Sequence, residues 1–201
     1  MFTSRIALTG VAALAFLTAC GSGESGAGHD MSAMSSTAPS AAPSTPASSA
    51  AAFNDADVMF AQMMIPHHRQ AVEMADLAET RAADKEIKEL AAKIKGAQDP
   101  EIQTMEGWLK EWGKPMPTGG MDHSMPGIMS EEDMKKLAAA KGTAFDRMFA
   151  ELMIAHHNGA IEMARTELEQ GSDPRAKALA KAIESAQQAE VAQMRKLLER
   201  L

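Results

Sequence analysis

Two adjacent histidines occur twice in this chain, as His67-His68 and as His156-His157. Each pair sits in the same setting of methionines. Met64 and Met153 lie three residues before the first histidine, and Met74 and Met163 lie seven residues after it. Neutral imidazole ligates copper and zinc, and thioether sulfur selects soft Cu(I). Asp57 and Asp146, ten residues ahead of the two pairs, could orient a histidine or add an oxygen ligand. A third group, Met116, Met121, His123, Met125 and Met129, crowds a Gly- and Pro-rich stretch where surface loops are usually polar. His29, Met31 and Met34 repeat the flavour nearer the N-terminus. Each feature has a plainer reading. Paired histidines can hydrogen-bond inside a core, and Met is a flexible filler. We assign packing to Met59, Met105, Met148 and Met194.

The elements that must position these groups are duplicated. Residues 57–109 shifted by 89 positions fall on 146–198 without a gap, with 22 identities in 53 pairs. His67/His156, His68/His157, Met64/Met153, Met74/Met163, Gln98/Gln187 and Glu101/Glu190 are among them. Each copy reads as two helices. The first spans about 54–81 and about 143–170, and the second begins at Asp84 and at Asp173-Pro174. Asp as N-cap with Pro at the first helical position is a strong start signal, because Pro needs no donor there. Pro66 and Pro100 fall inside predicted helices, so a kink is expected at Pro66. At 3.6 residues per turn, Phe60, Met63, Met64, His67, Ala71 and Met74 share an inward face. His68 lies at its flank, and Glu73 points to solvent.

The connector, 113–142, reads as loop to Met129 and then as a short helix capped by Ser130. It is long enough to run the length of a bundle. The expected fold is all-α, a four-helix bundle of two duplicated hairpins (53–112 and 143–201). A ferritin-like long crossover and a simple up-down-up-down order both remain open on these grounds.

Ahead of the helices, residues 1–19 have a positive Arg5, an apolar stretch from Ile6 to Leu17, and small residues before Cys20. This resembles a bacterial lipoprotein signal, with cleavage before Cys20 and lipid on that cysteine. Residues 20–52 then read as the lipidated cysteine and a disordered Gly/Ser/Ala/Pro tether. Cys20 is the single cysteine, so no thiol remains for a disulfide or thiolate site. The expected location is the extracytoplasmic face of the cell membrane. Without residues 1–19 the net charge is about −8, with 19 basic against 27 acidic side chains. That sign argues against a nucleic-acid partner.

The run Met63-Met64-Ile65-Pro66-His67-His68 with Ala71-Val72-Glu73-Met74-Ala75, its second copy Met153–Ala164, and the linker Gly120-Met121-Asp122-His123 with Met125-Pro126-Gly127 resemble one family. It is the bacterial domain-of-unknown-function family 305, of exported ferritin-like proteins rich in His-His and Met. The resemblance covers 53–201. It implies a ferritin-like four-helix bundle, and some similar proteins bind copper in the periplasm.

Three functions compete. The first is an exported copper-binding lipoprotein, Cu(I) favoured and Cu(II) possible, that sequesters or transfers the metal. The second is a di-metal carboxylate enzyme, which needs Glu-x-x-His on two helices. No such motif occurs here, nor do other catalytic signatures, so no enzyme activity is expected. The third is an envelope helical module whose histidine pairs are structural and hold no metal.

Overall fold

The computed structural model describes residues 53–117 and 125–201, and all its regular elements are helices. They are α1 (Asp55–Arg81), α2 (Lys85–Glu111), the short α3 (Glu131–Ala139), α4 (Thr143–Gln170) and α5 (Pro174–Leu198). Among the described residues no helix is long and apolar enough to cross a membrane. Cys20, the tether, Met121 and His123 lie outside the described residues.

The helix starts are set by side-chain caps. Asn54 accepts from the Ala56 and Asp57 N–H groups, and Asp57 returns a bond to the Asn54 N–H, closing a capping box. Asp84 caps α2, Ser130 caps α3 and Asp173 caps α5, with Pro174 leading. The helix α1 continues through Pro66, and α2 through Pro100.

Helix directions follow from bonds at the two ends of the molecule. The start of α1 meets the end of α4, where Asp57 accepts from the Ser172 and Asp173 N–H groups. The start of α4 meets the end of α1, where Asp146 accepts from the Ala83 and Asp84 N–H groups. Thus α1 and α4 are antiparallel. Arg175 at the start of α5 pairs with Glu111 at the end of α2, and Arg200 after α5 pairs with Asp84 before α2. Each hairpin packs tightly within itself, α1 against α2 and α4 against α5. The hairpins join mainly through α1 and α4, while α2 and α5 barely touch. The chain leaves α2 at one end and enters α4 at the other, so the connector runs the length of the helices.

Two apolar clusters fill the interior. One gathers Met74, Ile87, Leu90, Phe145, Phe149, Met153 and Met194, and the other gathers Phe60, Met64, Ile65, Met105, Leu109 and Met163. Between them lies a polar middle layer that contains all four described histidines.

Candidate functional site

His67 and His68 project from the middle of α1, and His156 and His157 from the middle of α4. All four are fully buried. The expectation that His68 and His157 sit only at the flank therefore gives way to burial of both members of each pair. The His67 and His156 rings lie against each other, with centroids 3.7 Å apart and planes 39° from parallel. That contact is one of the places where the two copies meet.

Three of the four rings are held from behind. His68 Nε2 donates to Glu101 Oε2 at 2.8 Å, and His157 Nε2 donates to Glu190 Oε2 at 2.6 Å. Both carboxylates come from the second helix of the same hairpin, 33 residues on. His67 Nε2 donates to the Pro126 carbonyl at 3.1 Å. The Nδ1 atoms of all four histidines find no partner, and neither does His156 Nε2. With the proton on Nε2, each Nδ1 of His67, His68 and His157 is a buried lone pair without a partner. Burial, followed by the neighbouring His68, lowers the His67 pKa to about 3. Burial, followed by His67, His157 and His68, holds His156 well below the ordinary imidazole range. These two rings are therefore neutral at physiological pH, the protonation state in which imidazole ligates metal.

The methionines bracket this layer. Met64 and Met163 are buried in the cluster on one side, and Met74 and Met153 in the cluster on the other. Among the described residues no three His, Cys, Asp or Glu side chains converge as a cage, so a metal here would draw on thioethers as well as imidazoles.

The connector passes over the histidines as a packed segment. Pro126 touches His67, and Gln70 grips Met129 through both its backbone N–H and its carbonyl, at 2.8 and 2.9 Å. On the α4 side, a Cβ at Gly159 would fall 2.0 Å from the Pro126 oxygen, so only Gly fits. Gly127 has φ +73, and a Cβ there would fall 2.6 Å from the Ala155 carbonyl oxygen. Met125 and Met129 are consequently buried, so this end of the Met-rich stretch packs onto the helices. Met116 is exposed. Met59 reverses its packing assignment, since 58% of its surface is open.

Asp57 and Asp146 are also corrected. Their oxygens accept backbone N–H groups at the far ends of the helices, and neither bonds a histidine. Glu101, Glu190 and the Pro126 carbonyl had not been singled out. Identity of Glu101 with Glu190 across the duplication was the available signal.

A family model described as a domain of unknown function, DUF305, matches residues 57–198. The chain belongs to the DUF305 family. Among solved DUF305 structures, one from Streptomyces coelicolor, assigned as secreted, is 34% identical with a TM-score of 0.67. The match covers 72% of this chain and 92% of that one. A DUF305 fragment from Deinococcus radiodurans is 31% identical with a TM-score of 0.68, covering 74% and 98%. CopM in its Cu(II)-bound form is 34% identical with a TM-score of 0.64, covering 71% and 95%. CopM has also been solved with Cu(I) and with silver. No curated protein matches the chain.

Proposed function

We propose that this protein is an extracytoplasmic copper-binding lipoprotein that sequesters or transfers copper, with Cu(I) favoured. The observation that carries the reading is the set of four buried Nδ1 atoms without partners. An orphaned polar atom in a core costs about 1–3 kcal/mol, and a metal that accepts these lone pairs would relieve that cost. His67, His68, His156 and His157 would supply imidazole, and Met64, Met74, Met153 and Met163 would supply thioether. Glu101 and Glu190 hold the Nε2 protons, as carboxylates do behind metal-bound histidines. Met125 and Met129 are held close to the layer by Gln70 and Gly159, and Met121 and His123 extend the same connector.

The copper-bound forms of CopM support the same reading. So does the secreted assignment of the Streptomyces relative for export, with Cys20 as the lipid anchor. The helix directions and the end-to-end connector favour the ferritin-like, duplicated-hairpin description over up-down-up-down. No catalytic role is proposed.

A calibrated Cu(I) competitor tests this directly. The wild-type chain should withdraw Cu(I) from the competitor, and His67→Ala with His156→Ala should weaken that at least 100-fold. Wild-type protein that leaves the competitor fully loaded ends the proposal. The alternative, a non-catalytic module with structural histidines and no metal, draws on the lack of a three-ligand His/Cys/Asp/Glu cage. It predicts a thermal midpoint unmoved by excess copper, whereas binding to the native state must raise it.

A further inference from the structure

The α2–α5 seam contains a small cavity of about 20 Å³, lined by Ile94, Ala97, Gln98 and Glu101 from α2 and by Ile183, Ala186, Gln187 and Glu190 from α5. These are four pairs related by the 89-residue shift, so the cavity straddles the boundary between the two copies. Gln98 and Gln187 are each 3% exposed, and the Oε1 atom of each is buried without a partner. The two carboxylates keep about a fifth of their side-chain surface open, at 21% and 20%. Each has given Oε2 to a histidine. Among the described residues neither Oε1 takes a hydrogen bond, and no Lys or Arg pairs with Glu101 or Glu190.

We propose that this seam holds one small oxygen-preferring divalent cation, for which Ca²⁺ is the probe. Two carboxylates and two amide carbonyls are all acceptors. A single water fits the volume but brings only two protons to four acceptors. A hard cation satisfies them together, with water completing the six to eight oxygens that Ca²⁺ takes. The seam differs in kind from the nitrogen and sulfur layer beside it, because it offers no soft donor. The open carboxylate edges give the ion a path from solvent. An ion here would also offset the repulsion between the two carboxylates that line the seam from α2 and α5.

The test uses the full-length chain free of copper, so failure of the copper reading does not affect it. Ca²⁺ at about ten times its half-saturating concentration should raise the melting temperature by about 4 °C. Gln98→Leu with Gln187→Leu keeps both carboxylates and should abolish the rise. A wild-type midpoint unmoved by millimolar Ca²⁺, or a rise equally large in the double variant, overturns the site. Wild-type crystals soaked in Mn²⁺ give a check independent of any variant's folding. An anomalous peak between Glu101 and Glu190 is expected. A plain water there, or amide NH₂ groups turned onto the carboxylates, overturns it.

Discussion

A neutral imidazole has one nitrogen that donates and one that accepts, so fixing one fixes the chemistry of the other. Glu101 and Glu190 do this for His68 and His157, and the Pro126 carbonyl does it for His67. Glu101→Gln and Glu190→Gln should each weaken Cu(I) binding about 10–100-fold while leaving the helices intact. The same competitor titration reads this, and an unchanged affinity would show the carboxylates to be bystanders. Residue-level logic also isolates Glu167, where the second copy departs from the first. Its counterpart is Ala78, and its carboxyl fills the space left by Gly171, where a Cβ would fall 2.0 Å from Glu167 Oε1. Burial first, and then Asp57, raise the Glu167 pKa to about 8. The folded state thus holds a proton that the unfolded chain releases near the ordinary carboxylate range. The contribution of this group to stability is fullest below that range and declines as pH rises to about 8. Glu167→Gln should remove most of this slope and be more stable than wild type at pH 8, by about 1–3 kcal/mol after screening. Urea melts at pH 5, 6.5 and 8 measure it, and parallel wild-type and variant slopes would refute it.

At the scale of elements, the connector is fastened to the two histidine helices by opposite means at equivalent positions. Gln70 on α1 holds Met129 by hydrogen bonds, whereas Gly159, 89 residues later on α4, holds Pro126 by making room. Gly159→Ala should therefore lift the connector, release the His67 Nε2 bond, cost about 1–3 kcal/mol and lower Cu(I) affinity. Gly107→Ala is the control, because nothing lies within 4 Å of a Cβ there and the helix interior favours Ala. If both substitutions behave alike, the connector does not depend on that contact. Helix starts were legible in advance where caps are local: Asp84, Ser130 and Asp173 sit one residue before α2, α3 and α5, and Asn54 does the same for α1. The fit of the connector was not legible. A Gly-, Pro- and Met-rich run looks like a loose loop until Gly127 and Gly159 are seen face to face. The His–Glu pairing was hidden for a related reason, since it depends on how two helices cross. Met59 misled because Met in a helix usually packs, whereas here its neighbours Val58 and Phe60 take the buried positions and leave it outside.

For the whole molecule, the question is what makes two hairpins one body when α2 and α5 hardly touch. Part of the answer lies at the ends of α1 and α4. Asp57 fastens the α4–α5 turn through Ser172 and Asp173, and Asp146 fastens the α1–α2 turn through Ala83 and Asp84. The first helix of each copy thereby clamps the turn of the other, and neither hairpin can swing about the α1–α4 contact without breaking a clamp. Burial alone would raise the Asp57 pKa, but the Asn54, Asp173 and Ser172 N–H groups and the Glu167 carboxyl outweigh it and hold it below the usual range. Its contribution to stability is present above the unfolded carboxylate pKa and is lost as pH falls through the folded one. Asp57→Ala and Asp146→Ala should each cost about 2–4 kcal/mol at neutral pH, since charge-assisted bonds to several N–H groups are removed. The clamps lie at opposite ends and share no partner, so the two losses should add. The urea midpoint should fall with an unchanged slope as long as both hairpins still unfold together. Cu(I) affinity, measured where each variant is fully folded, separates the clamp from the ligand role first expected of these residues. An affinity within about twofold of wild type fits a clamp, whereas a stable variant that no longer holds Cu(I) would return the carboxylate to the metal.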